Sequence, residues 1–88
     1  MKTFSSNREL YEYLLFLRSE LKQRGSEELS ETVAAASRHA SSMSTEFLGE
    51  SRTALEQVLK YENGLLTEQD RADLSDVLKQ LGEALDKR

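Results

Sequence analysis

The chain has 88 residues, of which 32% are charged and 38% hydrophobic, with a net charge of -4 and no cysteine. That length supports one domain, residues 1–88, and excludes two independent cores. The totals also exclude disulfides and thiolate chemistry, place the chain in the globular rather than the disordered range, and weigh against a general affinity for nucleic acid.

The apolar side chains set the fold class. There are fifteen Leu and seven Ala, only three Val, and no Ile or Pro. Leu and Ala favour helices, whereas strands favour β-branched residues, so the composition predicts an all-α domain. No apolar run approaches the roughly 20 residues that cross a bilayer. The opening Met1-Lys2-Thr3-Phe4-Ser5-Ser6 lacks the apolar stretch of a signal peptide. The expected location is cytoplasmic.

The first helix is expected after Ser6. Ser6-Asn7-Arg8-Glu9 has the form of a capping box, and Gly25 supplies the stop. At about 100° per residue, Leu10, Leu14, Leu17 and Leu21 form one stripe. Tyr11 and Leu15 widen the stripe on one side and Tyr13 on the other, while Phe16 lies outside it.

Ser26 caps the next helix, and Glu27 and Glu28 suit its positive end. Counted from Leu29, the positions Val33, Ala36, Ala40, Met43, Phe47, Ala54 and Val58 stay on one face. The Ser/Thr-rich Ser41-Ser42-Met43-Ser44-Thr45 does not disturb this phase and contains no Gly, Pro or Asn. The periodicity therefore predicts one long middle helix, roughly Glu27 to Glu62, with Gly49 as the natural place for a bend. A break near residues 42–45 is the alternative. Asn63-Gly64 ends this helix. Thr67-Glu68-Gln69-Asp70 starts the last one, whose stripe is Leu74, Val77, Leu78, Leu81, Ala84 and Leu85, with Lys87 and Arg88 at its negative end.

The expected architecture is thus a bundle of three helices with a long middle helix; the alternative is a compact four-helix bundle. In the three-helix form each half of the protomer is only a helical pair. Such a pair leaves apolar surface open, which a second copy related by a two-fold axis would cover. Ala36 and Ala40 would allow two long helices to cross closely, with Tyr13, Phe16, Met43 and Phe47 as the larger groups at the interface.

Charge is uneven. Residues 1–25 carry five Lys/Arg and three Glu; residues 26–64 carry three and seven. The first helix can therefore attract the middle of the chain modestly, through contacts that salt screens. Arg8, Tyr11, Arg18 and Lys22 fall towards one side of the first helix, a weak signal for nucleic acid beside the acidic total.

Candidate chemistry is sparse. His39 is the single histidine, and no acid stands three residues before it as bundle di-iron sites require. Glu27/Glu31 and Glu46/Glu50 are i,i+4 carboxylate pairs, and Asp70, Asp73 and Asp76 recur every third residue, all readable as solvated acidic faces. Ser42 follows His39 by three residues, but no Gly-x-Ser-x-Gly turn supplies an oxyanion site. These residues predict a small non-enzymatic helical protein with no cofactor and no metal. It would act by binding protein, first a second copy of itself and then an unidentified partner, as an adaptor or regulatory subunit. The alternative is a monomeric four-helix bundle with a small-molecule or metal site near His39.

Overall fold

The computed structural model describes residues 6–41 and 44–86. Among them are four α-helices: α1 (Asn7–Gln23), α2 (Glu27–Ser37), α3 (Ser44–Tyr61) and α4 (Glu68–Asp86). The all-α expectation holds, and the compact four-helix alternative describes the chain. The long middle helix does not form.

Local chemistry sets the ends of the elements. The Ser6 hydroxyl accepts the Glu9 N–H at 3.2 Å, and the Ser26 hydroxyl accepts the Leu29 N–H at 3.3 Å. At α4 the capping box is reciprocal: Asp70 N–H donates to the Thr67 hydroxyl at 3.0 Å, and Thr67 N–H donates to the Asp70 carboxylate at 3.2 Å. Gly25 (φ 97°) and Gly64 (φ 84°) take the left-handed backbone that ends α1 and turns the chain after α3. Gly49 lies inside α3 and is not a break. Lys87 and Arg88 lie outside the described residues, as does Met43.

The break after Ser37 is the correction to the sequence reading. The Ser37 hydroxyl donates to the Ala34 carbonyl at 2.7 Å, competing with the backbone for an acceptor. The Arg38 N–H is shared among the carbonyls of Ala34, Ala35 and Ala36, and Arg38–Ser41 tightens into a 3-10 turn. Helix α3 then runs back along α2: His39 meets Glu46, and Ala36 shares a groove with Ala54. Breaking one rod sacrifices a few backbone hydrogen bonds, each worth about 1 kcal/mol net. The reversal lets α3 bury Phe47, Leu48, Leu55 and Val58, at about 1.5–3 kcal/mol for each large side chain. Burial wins by a wide margin. An unbroken helix over residues 27–62 would extend roughly 50 Å, whereas the longest dimension of the molecule is 35 Å.

The core is one cluster joining all four helices, with Leu10, Leu14 and Leu21 of α1, Val33 of α2, Phe47, Leu55 and Val58 of α3, and Leu74, Val77 and Leu81 of α4. One face of α2 is built from small residues. Ser30, Ala34 and Ser37 are buried, and the Ser30 hydroxyl donates to the Arg18 carbonyl at 3.1 Å, tying α2 closely to α1. Helix α4 packs beside α3 and meets α1 through the Arg24–Asp70 pair.

Two substitutions at glycine separate open space from backbone constraint. Nothing lies within 4 Å of a methyl group added at Gly49, so Gly49→Ala is expected to raise stability in urea unfolding by about 1 kcal/mol. Gly64→Ala, at positive φ, is expected to lower it by a similar amount. The Ser51 hydroxyl is fully buried and, among the described residues, has no hydrogen-bond partner. Ser51→Ala should therefore raise the unfolding midpoint and add about 1 kcal/mol.

Candidate functional site

Neighbouring helices in a bundle leave a notch along each seam, and side-chain size decides whether it fills. Between α1 and α4 the buried Tyr13, Leu17 and Leu66 fill it, leaving a crevice of only about 10 Å³ with the exposed Phe16 at its edge. Along the α2–α3 seam the facing side chains are short: Thr32, Ala35 and Ala36 from α2, with Thr53 and Ala54 from α3. A groove stays open there. Its wider end, about 540 Å³, lies between Ser26, Glu28 and Leu29 at the start of α2 and Gln57 and Tyr61 near the end of α3. Its other end, about 290 Å³, runs past Ala35 to His39 and Glu50. Thr32 and Gln57 line both parts, which therefore adjoin along the α2–α3 seam.

The groove joins an apolar floor to a polar rim. Leu29, Ala36 and Ala54 are nearly fully buried beneath it. Tyr61 stands at its edge, 54% exposed, with the Lys60 ammonium 5.3 Å from the centre of its ring. Leu59 and Phe16 are the other large apolar side chains exposed among the described residues.

The wide end of the groove is braced by a polar clasp. Glu62 is 5% exposed, and a carboxylate so buried needs partners. Its Oε1 accepts the backbone N–H groups of Gly64 (2.7 Å) and Leu66 (3.3 Å), and its Oε2 accepts from Arg71 at 3.2 Å. Burial pushes the Glu62 carboxyl up, but these hydrogen bonds outweigh it and hold the group below its ordinary value of 4.5. Beside it, Arg24 donates to the Asp70 carboxylate at 2.7 Å and to the Leu65 carbonyl at 3.0 Å. The Arg24 hydrogen bond is the main cause that keeps Asp70 below 3.8, against partial burial. The clasp fastens the end of α1 and the α3–α4 turn to α4. Tyr13 is shifted the other way: burial, then the charges of Asp73 and Asp70, push its phenol well above the usual range.

The structure distributes the sequence candidates unevenly. Tyr13, Ala36 and Phe47 lie in the protomer's own core, and Ala40 packs against it. Phe16 is exposed, and Met43 lies outside the described residues. His39 Nδ1 is 3.0 Å from Glu46 Oε1, which pins the 3-10 turn to the first turn of α3. Glu31 faces Arg38 at 3.8 Å. Of the three aspartates at every third position, Asp70 belongs to the clasp and Asp73 accepts from Gln69 at 2.9 Å. Among the described residues no group of three or more His, Cys, Asp or Glu is placed to hold a metal, and no helix is long and apolar enough to cross a membrane. Sequence reasoning missed both the groove and the clasp. Glu62, directly before the Asn63-Gly64 turn, was a readable hint; Arg24 and Asp70 are 46 positions apart and leave no local signal.

The clasp makes stability sensitive to acid. Glu62 and Asp70 are lowered in the fold, so their contribution is complete above their ordinary values and lost as the pH falls through the lowered ones. Urea unfolding from pH 7 downwards is expected to show stability dropping below about pH 4 to 5, with a shallower drop in Glu62→Gln, which starts less stable. No family model matches the chain, and no curated protein or solved structure is significantly similar to it.

Proposed function

We propose that this chain is a small non-enzymatic helical binding module, and that its first partner is a second copy of itself. The observation that carries the reading is the open α2–α3 groove, with its buried Leu29, Ala36 and Ala54 floor and the exposed Tyr61 at its edge. A groove between two helices, floored by short side chains, can accept a third helix laid along it, a recurring way in which helical surfaces recognise one another. The groups lining it are alkyl, hydroxyl, amide and phenol along its length, with Glu28 at one end and Glu50 and His39 at the other, a mixture that suits recognition of a surface.

The original reason for a dimer, an apolar stripe that the chain cannot cover, no longer applies, because four helices cover it within one protomer. Association is therefore between folded monomers and depends on concentration. A cytoplasmic location belongs to the same reading, and the cysteine-free composition is compatible with a reducing compartment. The alternative near His39 gains a groove of about 290 Å³ beside that residue, a space in which a small molecule rather than a metal is the natural occupant.

Sedimentation equilibrium from low micromolar to millimolar protein tests the proposal. The average mass is expected to rise from 10.0 kDa towards twice that value. A mass that stays at 10.0 kDa throughout would count against self-association.

A further inference from the structure

We propose that the outer stripe of α1 in one copy docks in the α2–α3 groove of a second copy, an inference that rests on the self-association reading and names its surfaces. Helix α1 carries two stripes. Leu10, Leu14, Leu17 and Leu21 face the core. Arg8, Tyr11, Leu15, Arg18 and Lys22 recur at alternating steps of three and four on the flank towards α2. Tyr11 and Leu15 are half-buried, and Arg8, Arg18 and Lys22 are exposed. The stripe is thus an apolar centre set among cations, the pattern of a helix that lies in an acidic groove.

The groove supplies the complement. Glu28 lines its wide end and Glu50 its narrow end, over a floor of Leu29, Ala36 and Ala54. Among the described residues, neither these two carboxylates nor Arg18 and Lys22 form an ion pair, whereas other exposed charges pair within the protomer: Arg8 of the stripe with Glu12, Glu31 with Arg38, and Arg52 with Glu56. The dimensions agree. From Arg8 to Lys22 the stripe is roughly 21 Å long, and from Glu28 to His39 the groove is roughly 17 Å. A two-fold axis that seats the stripe of each copy in the groove of the other closes the dimer. Opposite charges at the rim set orientation and speed of encounter, while the floor supplies the apolar contact.

Two charge reversals test this in the full chain. The double variants Arg18→Glu/Lys22→Glu and Glu28→Lys/Glu50→Lys are each expected to weaken self-association about tenfold or more in sedimentation equilibrium. An equimolar mixture of the two should restore a heterodimer, an outcome that misfolded variants cannot give. Wild-type association should also weaken as sodium chloride is raised, a readout that needs no variant. If the wild type dimerises but ignores both salt and the reversals, these faces are wrong while the self-association reading stands. If the wild type stays monomeric at every concentration, the parent reading fails first. Salt-sensitive binding of duplex DNA that is lost in Arg18→Glu/Lys22→Glu, with dimerisation unchanged, would assign the stripe to an anionic partner and overturn the proposal.

Discussion

Phe47 has no exposed surface, and its burial depends on the chain turning back after α2. Helix α3 then lies along α2, so that Phe47, Leu55 and Val58 join Val33 and the α1 leucines in one cluster. Helix α4 packs beside α3 and adds Leu74, Val77 and Leu81 to the same cluster. A straight rod would have left part of the apolar faces of residues 27–62 uncovered within one protomer. In a domain whose whole stability is of the order of 5–15 kcal/mol, that loss decides the topology. Hydrogen bonds at a helix end are partly replaced by water; buried side chains have no such substitute.

Small residues on α2 do two jobs on two faces. Towards α1, Ser30, Ala34 and Ser37 are buried and allow close approach, and the Ser30 hydroxyl satisfies itself on the Arg18 carbonyl. Towards α3, Thr32, Ala35 and Ala36 are too short to fill the seam, and the groove results. The same device therefore makes one interface tight and leaves the next open. The polar clasp holds the wide end of that groove in shape. Its members come from α1, the α3–α4 turn and α4, and it combines a buried carboxylate, two backbone donors and two guanidinium groups. Such a network is stable when every member is satisfied, and fragile when a proton removes one acceptor.

Phase was a poor witness to continuity. Leu29, Val33, Phe47 and Val58 do keep step, but both helices of a hairpin must turn their stripes to the same core. The agreement across Ser41–Thr45 carries no information about whether the backbone is straight. The better signal was composition: serine and threonine have low helix propensity and compete for backbone acceptors, as the Ser37 hydroxyl does. Phe16 shows the converse. It lies off the stripe by periodicity, and it is exposed in the fold.

What the residues determined alone was local: helix class, the caps at Ser6, Ser26 and Thr67, the stops at Gly25 and Gly64, and the inward stripes. Each rests on interactions within a few positions, where spacing along the chain is distance in space. Tertiary structure alone decided that α3 reverses, that Arg24 meets Asp70, that Glu62 is buried, and that the α2–α3 seam stays open. These depend on which helix packs on which, and on the volume left between them. Both come from summing burial over the whole chain, a sum that no stretch of the sequence contains.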